Sequence, residues 1–178
     1  MNRNVIKCLA GLGLGILAGC SGGSDGAKNS SAIPTAPATE GGAPAASKEA
    51  PLPKLPNGAG PMDENPPPTL TATDSGLYYR ILREGTGKKP KAFNRVLAHY
   101  KGWLDNGKQF DSSYDRGQPI SFSLAQVVAG WTEGLQLIGE GGMIELEIPA
   151  KLGYKQQRMG DIPPGSTLHF IVELKEVQ

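Results

Sequence analysis

The chain is poor in reactive side chains. Its 178 residues hold two cysteines, Cys8 and Cys20, and two histidines, His99 and His169. Past residue 20 there is no thiol, which excludes disulfides and cysteine-based metal sites from the rest of the chain. Two histidines so far apart give neither a zinc ligand set nor a Ser-His-Asp arrangement, and no cofactor is expected. Charge of either sign is equally scarce in excess. Lys plus Arg total 18 against 17 Asp plus Glu, so no net field directs the protein to nucleic acid or to an acidic substrate. Hydrophobic residues make up 38%, below the ~45–50% usual for a globular domain. That deficit is local, because residues 21–73 hold ten of the fifteen prolines and few large apolar side chains.

No apolar run reaches the ~20 residues of a membrane-spanning helix. What the N-terminus does hold is a positive start, Arg3 and Lys7, and a short apolar stretch over residues 8–19. This pattern reads as a secretory signal peptide over residues 1–19. It ends in Leu17-Ala18-Gly19-Cys20, which resembles a bacterial lipobox. The resemblance implies cleavage before Cys20 and lipid on its thiol, enough to hold the chain at a membrane at ~0.8 kcal/mol per buried methylene. An ordinary cleaved signal with an incidental Cys20 is the competing reading. Ser21 stands where an Asp would retain the protein at the inner membrane, so the expected address is the outer membrane, with the domain in the periplasm.

Residues 20–73 read as a linker. So few apolar groups cannot offset the entropy of ordering the backbone, and the segment is expected to be disordered, with polyproline II character around Pro66-Pro67-Pro68. Its proline spacing forbids a long helix. A tether is the inferred role, and a filler of unselected length the alternative.

Residues 74–178 have ordinary composition and enough length for one core. Strand patterns run over residues 77–83, 95–104, 108–111, 119–123, 143–148 and 167–177. Asn106-Gly107 is a hairpin signal between the second and third. Residues 130–138 read as the one helix, with Trp131, Leu135 and Ile138 on one stripe. Ile144, Leu146 and Ile148 share a strand face, and so do Leu168, Phe170, Val172 and Leu174. Glu145 and Glu147 alternate with the first set, which reads as solvated sheet surface and not as a carboxylate pair for acid–base chemistry. His99 reads as a satisfied strand residue and His169 as solvent-facing. The fold class is α+β, an antiparallel sheet covered by one short helix.

The stretch Gln118 to Gln136, with Val127-Val128-Ala129-Gly130-Trp131-Thr132-Glu133-Gly134 at its heart, stands in order with Ala98-His99-Tyr100-Lys101-Gly102, Gln109-Phe110-Asp111-Ser112-Ser113 and Ile162-Pro163-Pro164-Gly165-Ser166-Thr167-Leu168. Together they resemble the FKBP-type peptidylprolyl isomerases over roughly residue 75 to the C-terminus. The resemblance implies a five-stranded half-barrel wrapped around the helix, and catalysis of rotation about X–Pro bonds. It implies that Trp131 forms the floor of a proline pocket, with Tyr100, Phe110 and Phe170 as walls and Val127 and Val128 as an apolar lip. The Val128 N–H and the Tyr154 hydroxyl would hold substrate carbonyls, and Ile162 would close the far side. Asp111 would be held by Tyr100 and Arg116 in an orienting, electrostatic role; the competing reading is that Asp111 caps the Ser112-Ser113 turn.

The chain departs from that family's pattern at several points. Ile120 stands where an aromatic is common, the stretch 155–161 is one residue short, Lys155 replaces a glycine, and Asp161 replaces an apolar residue. These departures bear on the preference for the residue before proline and on affinity for macrolide inhibitors. Many secreted relatives carry a helical dimerisation arm, which the prolines here forbid, so a monomer is expected. Expected substrates are unfolded or partly folded polypeptides containing proline, with the lipid anchor as the membrane contact. A proline-recognising binding module or chaperone without isomerase activity is the alternative, and a purely structural envelope lipoprotein is a third.

Overall fold

The computed structural model describes residues 46–178. The expected signal peptide, Cys20 and the first part of the expected linker lie outside the described residues. Within them eight strands, β1 (Ser47–Glu49), β2 (Thr69–Ala72), β3 (Tyr78–Arg83), β4 (Arg95–Leu104), β5 (Gln109–Ser112), β6 (Ile120–Ser123), β7 (Met143–Ile148) and β8 (Leu168–Val177), form one sheet. One helix, α1 (Ala129–Leu135), completes the described fold with 3-10 turns at Leu124–Gln126 and Ala150–Leu152. The sheet order is β1-β2-β3-β7-β8-β4-β5, and β6 also pairs with β4. Each of these pairings is antiparallel.

The long β4 is edged by two short strands in succession. β6 pairs with its first half from Arg95 to Ala98, and β5 with Lys101 to Trp103. The chain between them, residues 113–119, leaves the sheet. The Asn-Gly signal is met at the β4–β5 turn, where Gly107 has φ 77°, a left-handed conformation that glycine adopts without a Cβ clash.

Alternation along the strands builds the core. Val96, Ala98 and Tyr100 of β4, Ile144, Leu146 and Ile148 of β7, and Leu168, Phe170, Val172 and Leu174 of β8 are buried on one face. The helix lays Trp131 and Leu135 against them, and Ile138 follows. It runs close to β7: a Cβ at Gly130 would lie 2.6 Å from Ile148 Cγ2, and one at Gly134 would lie 2.5 Å from Leu146 Cδ2. These two glycines cost helix propensity, about 1 kcal/mol each, and give in return the close approach of helix to sheet. The helix is shorter at its end than the pattern over 130–138 suggests. Gln136 and Leu137 donate to Glu133 and Gly134, three residues back, so the last turn tightens before the glycines at 139, 141 and 142.

The expectation of a disordered linker up to residue 73, with the folded part starting at 74, does not hold for residues 46–73. Two strands of this segment, β1 and β2, extend the sheet beyond β3, so the five-stranded half-barrel gains an added edge. Between them, residues 50–68 form a strap over the outer face of the sheet. Leu55, Ala59 and Met62 pack there on Leu82, Met143, Ile171 and Trp103, a second small apolar cluster.

The strap is fastened by arginines. Prolines give a segment carbonyl acceptors without matching N–H donors, and a guanidinium supplies five donors in a fixed fork. Arg80 is 1% exposed and bonds the carbonyls of Ala50 (2.9 Å), Pro51 (2.8 Å) and Pro68 (3.2 Å). Its Nε donates to Glu145 Oε2 at 2.8 Å. Arg83 donates to the Pro61 carbonyl at 2.6 Å and to Glu173 Oε1 at 2.7 Å. The strap therefore corrects the reading of Glu145 and Glu147 as solvated. Glu145 is buried against Arg80, and Glu147 is paired with Lys48 at 2.8 Å. Burial raises the Glu145 pKa against the opposing pull of Arg80. His169 is likewise only partly open, stacked on Trp103 and bonded to Asp105 at 2.7 Å.

The Arg80→Ala variant should lose about 3–5 kcal/mol of unfolding free energy in urea, because it leaves the Glu145 carboxylate buried without its partner. Removing both side chains should cost less than removing Arg80 alone; equal or greater loss in the double variant would locate the stabilisation elsewhere. The pH response tests the second arginine. Burial pushes the Glu173 pKa up, but hydrogen bonds from Arg83 and Lys175 outweigh it and hold the carboxyl below the ordinary 4.5. A depressed folded value contributes stability above about pH 4.5 that is lost as pH falls through the folded pKa. Glu145 has the opposite sign. Urea titrations from pH 7 to 3 should therefore show a flatter acid limb for Glu173→Gln than for the unaltered protein.

Candidate functional site

The pocket is assembled on the inner face where α1 begins. Trp131 sits in the first turn of the helix and is fully buried. Three rings meet it edge to face: Phe122 at 5.2 Å and 74°, Tyr100 at 5.4 Å and 81°, and Phe170 at 5.4 Å and 82° between centroids and planes. Phe110 meets Phe170 in the same way at 5.5 Å and 84°. These are the offset arrangements that ring quadrupoles favour, worth about 0.5–1.5 kcal/mol per pair beyond area burial. Gly102 makes room for them. A Cβ there would lie 2.6 Å from both Phe110 Cζ and Phe170 Cε1.

Around this cage the half-buried Phe110, Ile120, Val127, Val128 and Met159 pack against the core, and Tyr154 and Ile162 are buried within it. The segment carrying Val127 and Val128 links the 3-10 turn Leu124–Gln126 to the helix. It is tied down by Thr132, whose hydroxyl donates to the Leu124 carbonyl at 2.6 Å. The Val128 carbonyl accepts from Trp131 and Thr132. Its own N–H meets no acceptor among the described residues. The Trp131 indole N–H is the one buried side-chain polar atom without a hydrogen-bond partner among them.

Asp111 stands at the end of β5, 8% exposed beside this apolar cage, and its charge is answered on both oxygens. The Tyr100 hydroxyl donates to Oδ2 at 2.5 Å, and Arg116 Nη1 donates to Oδ1. Arg116 Nη2 closes the ring by donating to the Tyr100 hydroxyl oxygen at 2.7 Å. The guanidinium also lies over the Tyr100 ring, 5.6 Å from its centroid. The Ser112-Ser113 turn has other fastenings: Ser112 Oγ accepts from the Asp115 N–H, and the Ser113 carbonyl accepts from the Arg116 N–H.

Two protonation states in this ring are set, those of Tyr100 and Arg116. Burial, and after it the hydrogen bond and charge of Asp111, push the Tyr100 pKa far up, so the hydroxyl keeps its proton. Burial works against the Arg116 charge, but its bonds to Asp111 and Tyr100 raise its pKa further. Neither group exchanges a proton near neutrality. The arrangement can orient a dipole and present a fixed field; it is not built as an acid–base relay.

Ser113, which sequence reasoning passed over, is fully buried and bonds the Tyr100 backbone three times: its hydroxyl accepts from the Tyr100 N–H at 2.7 Å and lies 3.2 Å from the Tyr100 carbonyl, to which its own N–H donates at 2.9 Å. It also meets His99 Nδ1 at 3.0 Å. His99 lies outside the pocket, stacked on Tyr114 at 4.6 Å, and burial lowers its pKa. Phe122 was missed as well. The signal for it is the alternation of β6, which puts Phe122 on the side of Ile120, so the cage has a ring beside the position where Ile120 lacks one. The Lys155 substitution has a visible backbone consequence: Lys155 has φ 55°, and it alone among the described non-glycine residues is left-handed, at a cost of about 1–2 kcal/mol relative to glycine. Beyond it, Met159 and Ile162 form a two-residue bridge, with N–H to carbonyl distances of 3.1 and 3.0 Å, that sets Ile162 inward.

Comparison with known proteins places this geometry. The family model of FKBP-type peptidyl-prolyl cis-trans isomerases matches residues 86–175. A probable FKBP-type peptidyl-prolyl cis-trans isomerase of Haemophilus influenzae is 53% identical over 109 residues, covering 61% of this chain and 45% of the relative. The crystal structure of FkpA from Escherichia coli superposes with a TM-score of 0.60 at 47% identity, covering 61% of this chain and 51% of that one. A peptidyl-prolyl cis-trans isomerase of Pseudomonas syringae pv. tomato gives 0.57 at 38% identity, covering 61% of this chain and 80% of that one. The chain thus spans less than half the length of the curated relatives it matches, 45% and 40% for the first two.

Proposed function

Since the chain belongs to the FKBP-type peptidyl-prolyl cis-trans isomerase family, we propose that this protein catalyses cis–trans isomerisation of X–Pro bonds in unfolded or partly folded polypeptides. The observation that carries the reading is the aromatic cage on Trp131 bordered by the closed Tyr100–Asp111–Arg116 ring. Rotation about the bond passes through a twisted amide without resonance, against a barrier of ~18–20 kcal/mol. The planar amide is the more charge-separated state and is the better solvated by water. An apolar site with few hydrogen bonds therefore disfavours it relative to the twisted one. Trp131, Tyr100, Phe110 and Phe170 would hold the proline ring, Ile120, Val127 and Ile162 would border it, and the Val128 N–H and the Tyr154 hydroxyl would hold the flanking carbonyls. Asp111, fixed by Tyr100 and Arg116, orients the cage edge and acts electrostatically, and proton transfer has no part in the step.

The finer reading adds an address. The lipobox-like Leu17-Ala18-Gly19-Cys20 supports a lipid anchor on Cys20, and Ser21 supports delivery to the outer membrane, with the isomerase acting on exported chains in the periplasm. With residues 46–73 folded onto the domain, residues 21–45 remain as the tether, and the prolines of the whole stretch support a monomer.

The purified protein should accelerate isomerisation of prolyl tetrapeptides, which otherwise takes tens of seconds or longer. Asp111→Val should lower kcat/KM roughly tenfold, about 1.4 kcal/mol of transition-state stabilisation, with an unaltered far-ultraviolet circular dichroism spectrum. A folded protein that binds prolyl peptides without acceleration would instead be a proline-recognising module. Metabolic labelling with a palmitate analogue should tag the protein in a bacterial host and should fail for Cys20→Ala; equal labelling of both would remove the anchor.

A further inference from the structure

The two strands that wall the isomerase pocket also present a second surface. Along β4 and β8, Tyr100, Gly102 and Phe170 turn inward, and the alternate residues Lys101, Trp103 and His169 turn outward. Trp103 and His169 stack with centroids 5.8 Å apart and planes at 16°. Opposite them the start of the strap, from Lys48 to Lys54, leaves an open cavity of about 510 Å³. That volume falls within the ~300–1,000 Å³ of small-ligand and peptide-side-chain pockets.

Its walls are mainly apolar: Leu52, Pro53, Leu70 and Trp103. Leu52 is 47% exposed, one of two large apolar side chains that the described residues leave in water. The charges of the lining do not balance locally. Glu145 is taken by Arg80 and Glu147 by Lys48, while Lys54 and Lys101 have no acidic partner among the described residues. What remains for a ligand is an apolar groove with two uncommitted cations. The same outer face already holds an extended stretch of chain, the strap itself.

We propose that this groove binds extended apolar polypeptide carrying a carboxylate, as a second contact for the client chain on the sheet face behind the isomerase pocket. Apolar client side chains lie on Leu52 and Trp103, and a client carboxylate meets Lys54 and Lys101. The benefit for catalysis rests on the isomerase reading: a chain held at the groove meets the pocket at raised effective concentration. The binding itself does not depend on it, because no proline is required.

Two readouts on the purified protein test this. A proline-free apolar peptide with two glutamates should bind with one-to-one stoichiometry by calorimetry. Leu52→Asp and the Lys54→Glu/Lys101→Glu pair, both on the surface, should each weaken it at least tenfold. The same variants should slow catalysed, proline-limited refolding of an acidic protein at least threefold while tetrapeptide kcat/KM is unchanged. A peptide that does not bind, or binds equally well to both variants, overturns the proposal. So does a concentration-dependent dimer in sedimentation that these variants dissolve, which would give the groove to a second copy. Anionic phospholipid vesicles captured through the two lysines without peptide binding overturn it too. Lysine-dependent peptide binding in a protein that catalyses neither reaction would uphold the groove and refute the isomerase reading alone.

Discussion

The antiparallel pairing of β4 with β8, running from Val96 opposite Val177 to Leu104 opposite Leu168, is the constraint on which the rest of the molecule depends. Each strand has two faces with a period of two, so this one ladder fixes both the aromatic cage and the surface behind it. A slip of one residue would turn Trp103 and His169 inward and Tyr100 and Phe170 outward, and both surfaces would be lost. The register is held from several directions. The ladder shifts once, between Leu97 and Ala98, and runs without a break from Ala98 to Leu104; on the other side of β4, the turn at Gly107 fixes the pairing with β5, and Ser113 grips the Tyr100 backbone from just beyond that strand. Gly102 is where the two requirements meet: it must continue the ladder and yet leave space for Phe110 and Phe170.

Behind that ladder, the strap shows how a proline-rich stretch becomes ordered without a core of its own. Its carbonyls have no ladder to join, and in water they gain nothing by folding. The guanidinium of Arg80 changes this by meeting Ala50, Pro51 and Pro68 together, and Glu145 supplies the opposite charge that lets the guanidinium be buried. The ion pair is thus coupled to the strap: without the strap, Arg80 and Glu145 would lie in water, where such a pair contributes little. Leu55, Ala59 and Met62 add apolar burial over Leu82, Met143 and Ile171.

How much of this was legible in the sequence depends on the range of the interactions. The strands of residues 95–104 and 143–148 were readable to the residue, because alternation is local and β4 and β7 carry it without interruption. The cage rings Tyr100, Phe110, Trp131 and Phe170 were found through the family resemblance that the motifs carry, and the fold brings them together. The strap was not legible. Its composition predicts disorder by every local measure, and what orders it is a pair of arginines some 12 to 30 residues away along the chain. The same blind spot made Glu145 and Glu147 look solvated, since a period-two pattern reports which face a residue is on and not what covers that face. Phe122 was overlooked for a milder reason: a four-residue strand offers too little alternation to stand out beside Ile120.

The electrostatics of the site suit the X–Pro isomerisation proposed for it. An isomerase of this kind changes a torsion angle and neither makes nor breaks a covalent bond, so a group that gains or loses a proton within the working range would make its field vary for no catalytic return. Burial and mutual hydrogen bonding hold the Tyr100 proton and the Arg116 charge well outside that range. His99, the nearby side chain whose ordinary value does fall there, is kept on the other face of the sheet, and burial shifts its titration down. Its path to the cage runs through Ser113, whose hydroxyl can serve His99 Nδ1 and the Tyr100 backbone together. Since the Tyr100 N–H donates to the Ser113 hydroxyl oxygen and the Ser113 N–H donates to the Tyr100 carbonyl at 2.9 Å, the backbone there is held by contacts that survive a change at the imidazole. The backbone position of Tyr100 therefore does not depend on the state of the imidazole.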